Sequence, residues 1–167
     1  MKLFDYKREP EYSNNDWVRA IYDFNRIRNG LKLNINKEVL MLDEELIEFN
    51  EAKTLADLID SVLDTDYVFQ GSKIKIAFNY RPDEDNTEFV NKYSKLLSER
   101  YDMLLVLLDT DDVANILRWS QKIIAHCNSL KTKKLDNNGK VVKGKIPNAT
   151  DMIAEMLKER GIENITL

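Results

Sequence analysis

Two neighbouring stretches, DEELIEFNEA (residues 43–52) and LADLIDSVLD (residues 55–64), decide the fold of this chain. Apolar residues recur in and beside both stretches at intervals of three and four, which is the spacing of one face of an amphipathic helix. These apolar positions are Leu42, Leu46, Phe49, Leu55, Leu58, Ile59, Val62 and Leu63. Because only a short turn near Lys53 and Thr54 separates the two stretches, we expect a tight helical hairpin.

The same spacing groups acidic residues. Residues three or four apart share a helix face, so Glu45 projects with Glu48, and Asp57, Asp60 and Asp64 project together. Ionised carboxylates beside an apolar core repel one another and are poorly solvated. A shared Mg²⁺, or Mn²⁺ as a substitute, removes this conflict because hard cations take carboxylate oxygens as ligands. The spacing therefore predicts a divalent-metal site; the alternative is a pair of amphipathic helices whose acids face water.

Length and composition limit the class of protein. A chain of 167 residues predicts one domain, 1–167, and its 5 Gly and 3 Pro favour helices over a turn-rich β fold. The formal net charge of -4 provides no general attraction to nucleic acid, so no polynucleotide partner is expected. The stretch MKLFDYKREP lacks an apolar signal region, and the longest apolar runs are too short to cross a bilayer. We therefore expect a cytoplasmic protein with no membrane partner.

Periodicity and helix-end signals predict an all-α bundle of about five to six helices. The alternation of Ile74, Ile76 and Phe78 has no strand partner, so we expect an irregular connection there. Residues 128–148 form a basic, turn-rich segment with a turn at 137–139. The expected helices are a first from the polar cluster at 13–16 to Gly30, a second from about Asn36, a third from about Thr54 to near Gly71, and three more over 86–108, 113–128 and 149–160.

Two motifs, EELIE (residues 44–48) and DSVLDTDYVFQG (residues 60–71), resemble the acidic segments of the all-α NTP pyrophosphohydrolases. That superfamily includes MazG-like proteins, phosphoribosyl-ATP pyrophosphohydrolases and dimeric dUTPases. The basic segment, NSLKTKKLDNNGKVVKGKIPNATDMI from residue 128, is similar to the tail of the same proteins. The resemblance covers about residues 17–71 and 113–155. It implies a MazG-like core with an insertion at 72–112, completed by a homodimer or a dimer of dimers.

The resemblance also implies a set of site residues. It points to metal ligands among the acids, a proton acceptor at Glu44 or Asp57, and phosphate or sugar contacts from the tail. By the same resemblance, Phe24 and Asn25 would occupy the first-helix position that lines the nucleotide pocket. The candidate catalytic residues are Glu44, Glu45, Glu48, Asp60 and Asp64; the metal ligands are Glu45, Glu48, Asp60 and Asp64; and the substrate-binding residues are Asn25, Asn128, Lys131 and Lys143.

The chemistry implied is cleavage of a nucleoside triphosphate to the monophosphate and pyrophosphate, with Mg²⁺ as cofactor. This chain departs from the superfamily pattern, since Ser61 stands three residues before Asp64 where a Glu is usual, which makes Asp60 and Asp64 the second acidic pair. The departure, together with the insertion, supports an alternative: a catalytically inert helical module that binds a nucleotide or a protein. The sequence leaves open which base is preferred and which of Asp57, Asp60 and Asp64 is the third ligand.

Overall fold

The computed structural model describes residues 2–142 and 144–167. Within these ranges the chain forms six α-helices and no strand apart from two isolated β-bridges. The helices are α1 Asn14–Asn29, α2 Ile35–Glu51, α3 Leu55–Phe78, α4 Thr87–Leu107, α5 Val113–Ser129 and α6 Ala149–Glu159. The prediction of an all-α bundle of about five to six helices is confirmed.

Most helix ends lie where local chemistry predicts them. Ser13 caps α1 through a capping box with Asp16, and Gly30 ends that helix in the left-handed conformation at φ +62°. Asn148 caps α6, accepting a hydrogen bond from the backbone N–H of Asp151. These side chains satisfy terminal backbone groups that the helices leave unpaired.

One boundary was predicted wrongly. Helix α3 does not end near Gly71 but continues to Phe78, so residues 72–78 are helical rather than an irregular connection. Gly71 lies inside the helix and serves a packing purpose, because a Cβ there would come within 2.9 Å of the Nδ2 atom of Asn25 on α1. A glycine inside a helical pattern therefore marks a close helix contact here, not a helix end.

Helix α3 is the centre of the bundle and packs against all five other helices. Apolar residues occur all around its axis, as expected for a helix enclosed by neighbours. The core includes the fully buried side chains Trp17, Ile21, Leu42, Leu55, Ile59, Leu63, Ile116, Ile123 and Ile153.

The start of α3 is held by the C-terminal segment. The backbone N–H of Leu55 donates to the carbonyl of Ile165 at 2.9 Å, and the N–H of Ala56 donates to Asn164 Oδ1 at 2.8 Å. Thr54 and Asp57 add a capping box, in which the Asp57 carboxylate accepts from the Thr54 N–H at 3.1 Å. The N-terminal backbone groups of this central helix are thus paired inside the protein.

No helix within 2–142 and 144–167 is long and apolar enough to cross a membrane.

Candidate functional site

Helices α2 and α3 run antiparallel, and their register brings acidic residues together. Ser72 and Lys75 of α3 bond to Glu38 of α2, so residues earlier in α3 face residues later in α2. Carboxylate oxygens of Glu45, Glu48 and Asp64 consequently lie within 4.8 Å of one another. We call these three residues the carboxylate trio.

Two members of the trio lie where the charged form of a carboxyl group is disfavoured. Burial, reinforced by the charge of Glu48, raises the pKa of Glu45 to about 8. Burial, with Asp60 as the next cause, holds the pKa of Asp64 well above its usual range. The Oε2 atom of Glu45 is buried and has no hydrogen-bond partner among the described residues. An oxygen in this state lacks the compensation that buried polar groups normally have, and a cation would supply it.

Asp60 lies one helical turn before Asp64, outside the trio and away from the cavity lining described below. Its Oδ2 accepts a hydrogen bond from the hydroxyl of Thr150 at 3.2 Å, whereas its Oδ1 is buried without a partner in the described part of the chain. Burial raises the pKa of Asp60 to about 6, although the Thr150 bond opposes the shift.

Asp57, the other candidate from the sequence, is used elsewhere. Its Oδ2 accepts from the backbone N–H groups of Lys53 and Thr54, both at 3.1 Å, so it forms the acidic half of the capping box whose N-cap residue is Thr54. The side chain does not line the cavity.

Glu44 forms an ion pair that the sequence did not predict. The Lys140 ammonium donates to Glu44 Oε1 at 2.7 Å. Burial lowers the pKa of Lys140, but this hydrogen bond and the charge of Glu44 outweigh it, so the net shift is upward. The turn predicted at 137–139 makes this contact possible. Gly139 adopts φ +80°, and its N–H donates to the Asp136 carbonyl at 3.0 Å. The basic segment thereby folds back over α2.

A cavity extends along the groove between α2 and α3. Phe24 and Asn25 of α1 line it together with the carboxylate trio and Glu44. Asn128 and Lys131 line the same cavity from the end of α5 and the basic segment. The structure therefore brings together all of the predicted site residues except Asp60, which lies behind the trio, and Lys143, which is outside the described residues.

Arg28 of α1 is a residue of the site that the sequence did not predict. Its guanidinium donates to the carbonyls of Lys131 at 2.9 Å and Thr132 at 3.1 Å, and it lies 4.0 Å above the centre of the Phe24 ring. The guanidinium group suits both kinds of contact because it is planar, permanently charged and rich in hydrogen-bond donors. It joins the start of the basic segment to the aromatic wall of the cavity.

A buried ion pair between Glu38 and Lys75 lies at the end of the cavity away from the carboxylate trio. The sequence did not predict this pair either. Their side chains are only 3% and 4% exposed, and the Lys75 ammonium lies 3.0 and 3.2 Å from the two Glu38 oxygens. The Ser72 hydroxyl donates to Glu38 at 2.9 Å. The pair could be predicted only if the helix was known to continue past Gly71, because only then do Ser72 and Lys75 share a face with Asp64 and Val68.

The chain matches no protein-family model, no curated protein and no solved structure. Assignments at this site accordingly depend on its geometry and on the sequence resemblance described above.

Proposed function

We propose that this protein is a Mg²⁺-dependent nucleoside triphosphate pyrophosphohydrolase. The observation that carries the proposal is the position of the carboxylate trio on a cavity that also exposes Asn128 and Lys131. The reaction class comes from the resemblance of EELIE and of the basic segment to the all-α NTP pyrophosphohydrolases. A cavity with acids, a lysine, an amide and aromatic walls suits a ligand that has phosphates at one end and a base at the other.

The trio fits a hard divalent cation. It offers three carboxylates whose oxygens lie within 4.8 Å, and one of these oxygens is buried and unpaired. Glu45, Glu48 and Asp64 would hold the ion. Bound there, Mg²⁺ would neutralise charge on the phosphate oxygens and lower the pKa of water. Asp60 is proposed as a supporting carboxylate, held by Thr150 one turn behind Asp64.

Other side chains of the site have separate roles. Lys131 and Lys140, with Lys143 from the resemblance, supply positive charge for a polyphosphate. Glu44 accepts the proton of the attacking water; it directly precedes Glu45 on α2 and lines the same cavity as the trio. Because Asp57 caps α3, Glu44 is the better of the two proton acceptors considered from the sequence.

In the proposed reaction a water oxygen forms a bond to the α-phosphorus while the bond from that phosphorus to the bridging oxygen of the β-phosphate breaks. The bonding electrons leave with pyrophosphate, and the water proton passes to Glu44. The products are a nucleoside monophosphate and pyrophosphate. No oxidant or reductant is required.

The homodimer, or dimer of dimers, is part of the proposal. Leu40 and Ile47 lie seven residues apart on one face of α2 and are 58% and 56% exposed, while Met103 and Val106 on α4 are 55% and 79% exposed. We propose that the second copy covers these exposed apolar side chains, since a large exposed apolar patch is typical of a protein–protein interface. Light scattering on the purified protein at micromolar concentration should give twice or four times the chain mass; the mass of one chain would contradict the dimer.

Pyrophosphate release tests the enzyme directly. The assay uses a panel of ribo- and deoxynucleoside triphosphates with Mg²⁺, with Mn²⁺ and with excess chelator. We expect release with either metal and none with chelator. Glu48→Gln and Asp64→Asn should lose turnover while keeping their helical circular dichroism. Glu51 is an exposed acid on α2, the helix of Glu48, and Glu51→Gln should keep the wild-type turnover.

Two results would contradict the proposal. Wild-type rates in Glu48→Gln or Asp64→Asn would remove the trio from the chemistry. Absence of release from every nucleotide, with binding still visible by calorimetry, would favour the inert nucleotide-binding module.

A further inference from the structure

We infer that the buried Glu38–Lys75 pair reads the hydrogen-bonding edge of the substrate's base and makes the protein selective among nucleobases. This inference rests on the proposed function, since it deepens the description of the same cavity. It assigns a specificity role to two residues outside the carboxylate trio and the basic segment.

The first argument is the order of side chains along the groove. On α2, Glu38, Met41, Glu45 and Glu48 follow one another in steps of three, four and three, so they share a face. Met41 and, on α3, Val68 both line the cavity between the trio and the ion pair. The groove therefore passes from a charged end through an apolar middle to a second charged end.

The second argument is length. Seven residues of helix separate Glu38 from Glu45, which is about 10 Å along the axis. Eight residues of α3 separate Asp64 from Ser72, which is about 12 Å. A nucleotide with its phosphates at the trio extends far enough for the outer edge of its base to approach Glu38 and Lys75, and its sugar and ring would pass the apolar middle.

The third argument is the hydrogen-bond capacity left on the pair. An ammonium group has three donors, and Lys75 uses two of them on Glu38. Glu38 Oε1 accepts from Ser72 and Lys75, whereas Oε2 accepts from Lys75 alone among the described residues. One donor of Lys75 and one acceptor position on Glu38 Oε2 thus remain unused among the described residues, and both residues line the cavity. Nucleobases present adjacent donors and acceptors in an order that differs from one base to another.

The fourth argument concerns cost. Burying an ion pair requires desolvating both charges, and a well-packed apolar pair is often as stable or more so. Holding α2 against α3 is therefore not a sufficient reason for this pair, since apolar side chains could do so equally well. A site built to hydrogen-bond one substrate rejects others strongly, because its buried polar groups are then left unpaired.

The test measures kcat/KM for the nucleotide panel and for a deoxyribose triphosphate that has no base. The main variant is Glu38→Gln/Lys75→Met, which removes both charges together and leaves no buried ion unpaired. A second variant, Glu38→Lys/Lys75→Glu, keeps an ion pair between the helices but exchanges donor and acceptor. The matched control is Asp112→Asn/Arg160→Met, an ion pair between the ends of α5 and α6 that lies outside the cavity.

We expect the wild type to favour its best base over the others by at least about 100-fold and the neutral variant to narrow that range to within about tenfold. The exchanged pair should change the order of preference. Both variants should change kcat/KM for the base-free triphosphate by less than they change it for the preferred nucleotide, and the control should keep the wild-type order. Base preferences that remain unchanged in both variants, with intact melting curves, would overturn the inference.

Failure of the proposed function would look different. If the wild type releases no pyrophosphate from any compound, the enzyme assignment fails, and selectivity is then read by calorimetric titration with the same nucleotides. Equal affinities in wild type and neutral variant for every base would overturn the inference as well, whereas loss of base preference in the variant would support it.

Discussion

Replacing Glu45 by Gln should stabilise the metal-free protein. Glu45 is half-buried in the trio, its Oε2 atom is unpaired, and burial together with Glu48 raises its pKa from 4.5 to about 8. Gln has nearly the same shape and carries no charge. The substitution therefore removes the electrostatic cost of ionising a buried carboxyl beside Glu48.

The size and pH dependence follow from proton linkage. The folded protein holds a proton on Glu45 up to about pH 8, whereas the unfolded chain releases it near pH 4.5. Stability associated with Glu45 is therefore fully present below pH 4.5 and is lost as pH rises through the folded pKa. Each pH unit above 4.5 lowers the stability of the wild type relative to the Gln variant by about 1.4 kcal/mol. At pH 7 the difference in stability is therefore at most roughly 3.5 kcal/mol. Solvent reaches part of the side chain, so we expect about 2 kcal/mol.

Urea unfolding at pH 5, 6, 7 and 8 in chelator measures this difference. The advantage of Glu45→Gln over wild type should be small at pH 5 and grow with pH. Added Mg²⁺ should stabilise the wild type by about 2.7 kcal/mol at one hundred times its dissociation constant and the variant by much less. Glu51→Gln, on the exposed end of the same helix, should differ from wild type by less than about 0.5 kcal/mol at every pH.

A Gln variant that is no more stable than wild type at pH 7 and 8 would refute this reasoning. A difference that stays constant with pH would also refute it, because the advantage would then not arise from ionisation of Glu45.

Three further substitutions test the surroundings of the trio. Gly71→Ala places a Cβ about 2.9 Å from Asn25 Nδ2, so Asn25 must move; KM should rise several-fold while calorimetric Mg²⁺ affinity stays unchanged. Asp57→Ala removes the acidic half of the Thr54–Asp57 capping box of α3 and should cost about 1 kcal/mol in urea unfolding, with Mg²⁺ affinity retained. Arg28→Met removes the donors that hold the basic segment and should raise KM about tenfold with little change in kcat.

Each of these predictions has a result that contradicts it. Unchanged kinetics in Gly71→Ala would mean that Asn25 does not contact substrate. Loss of Mg²⁺ affinity in Asp57→Ala, with the fold intact, would return Asp57 to the ligand set. Wild-type KM in Arg28→Met would show that the basic segment is positioned without it.

The helices were predictable wherever local signals agreed. Apolar spacing, the Ser13 capping box and the left-handed Gly30 act within a few residues, and they placed α1 correctly. Only the C-terminal end of helix α3 was predicted wrongly, because Gly71 has the same appearance in the sequence whether it ends a helix or permits a close contact. Its actual role depends on Asn25, forty-six residues earlier in the chain, and no local pattern reports that contact.

The candidate site divides in the same way. Helical spacing alone paired Glu45 with Glu48, because both lie on one helix and the α-helical period is constant. Spacing could not choose among Asp57, Asp60 and Asp64, which share a face of α3. The register of α3 against α2 placed Asp64 in the trio, the start of the helix engaged Asp57 as a cap, and Thr150 on α6 engaged Asp60.

The sequence by itself determined the secondary structure class, most helix ends and the acidic character of the α2–α3 hairpin, since these depend on interactions between residues three or four apart. Only the tertiary structure decided which acids converge, that Lys140 reaches Glu44, that Arg28 holds the basic segment, and that Glu38 and Lys75 form a buried pair at the end of the cavity. These contacts join residues from 16 to 104 positions apart. Their formation depends on how helices pack, which local spacing does not encode.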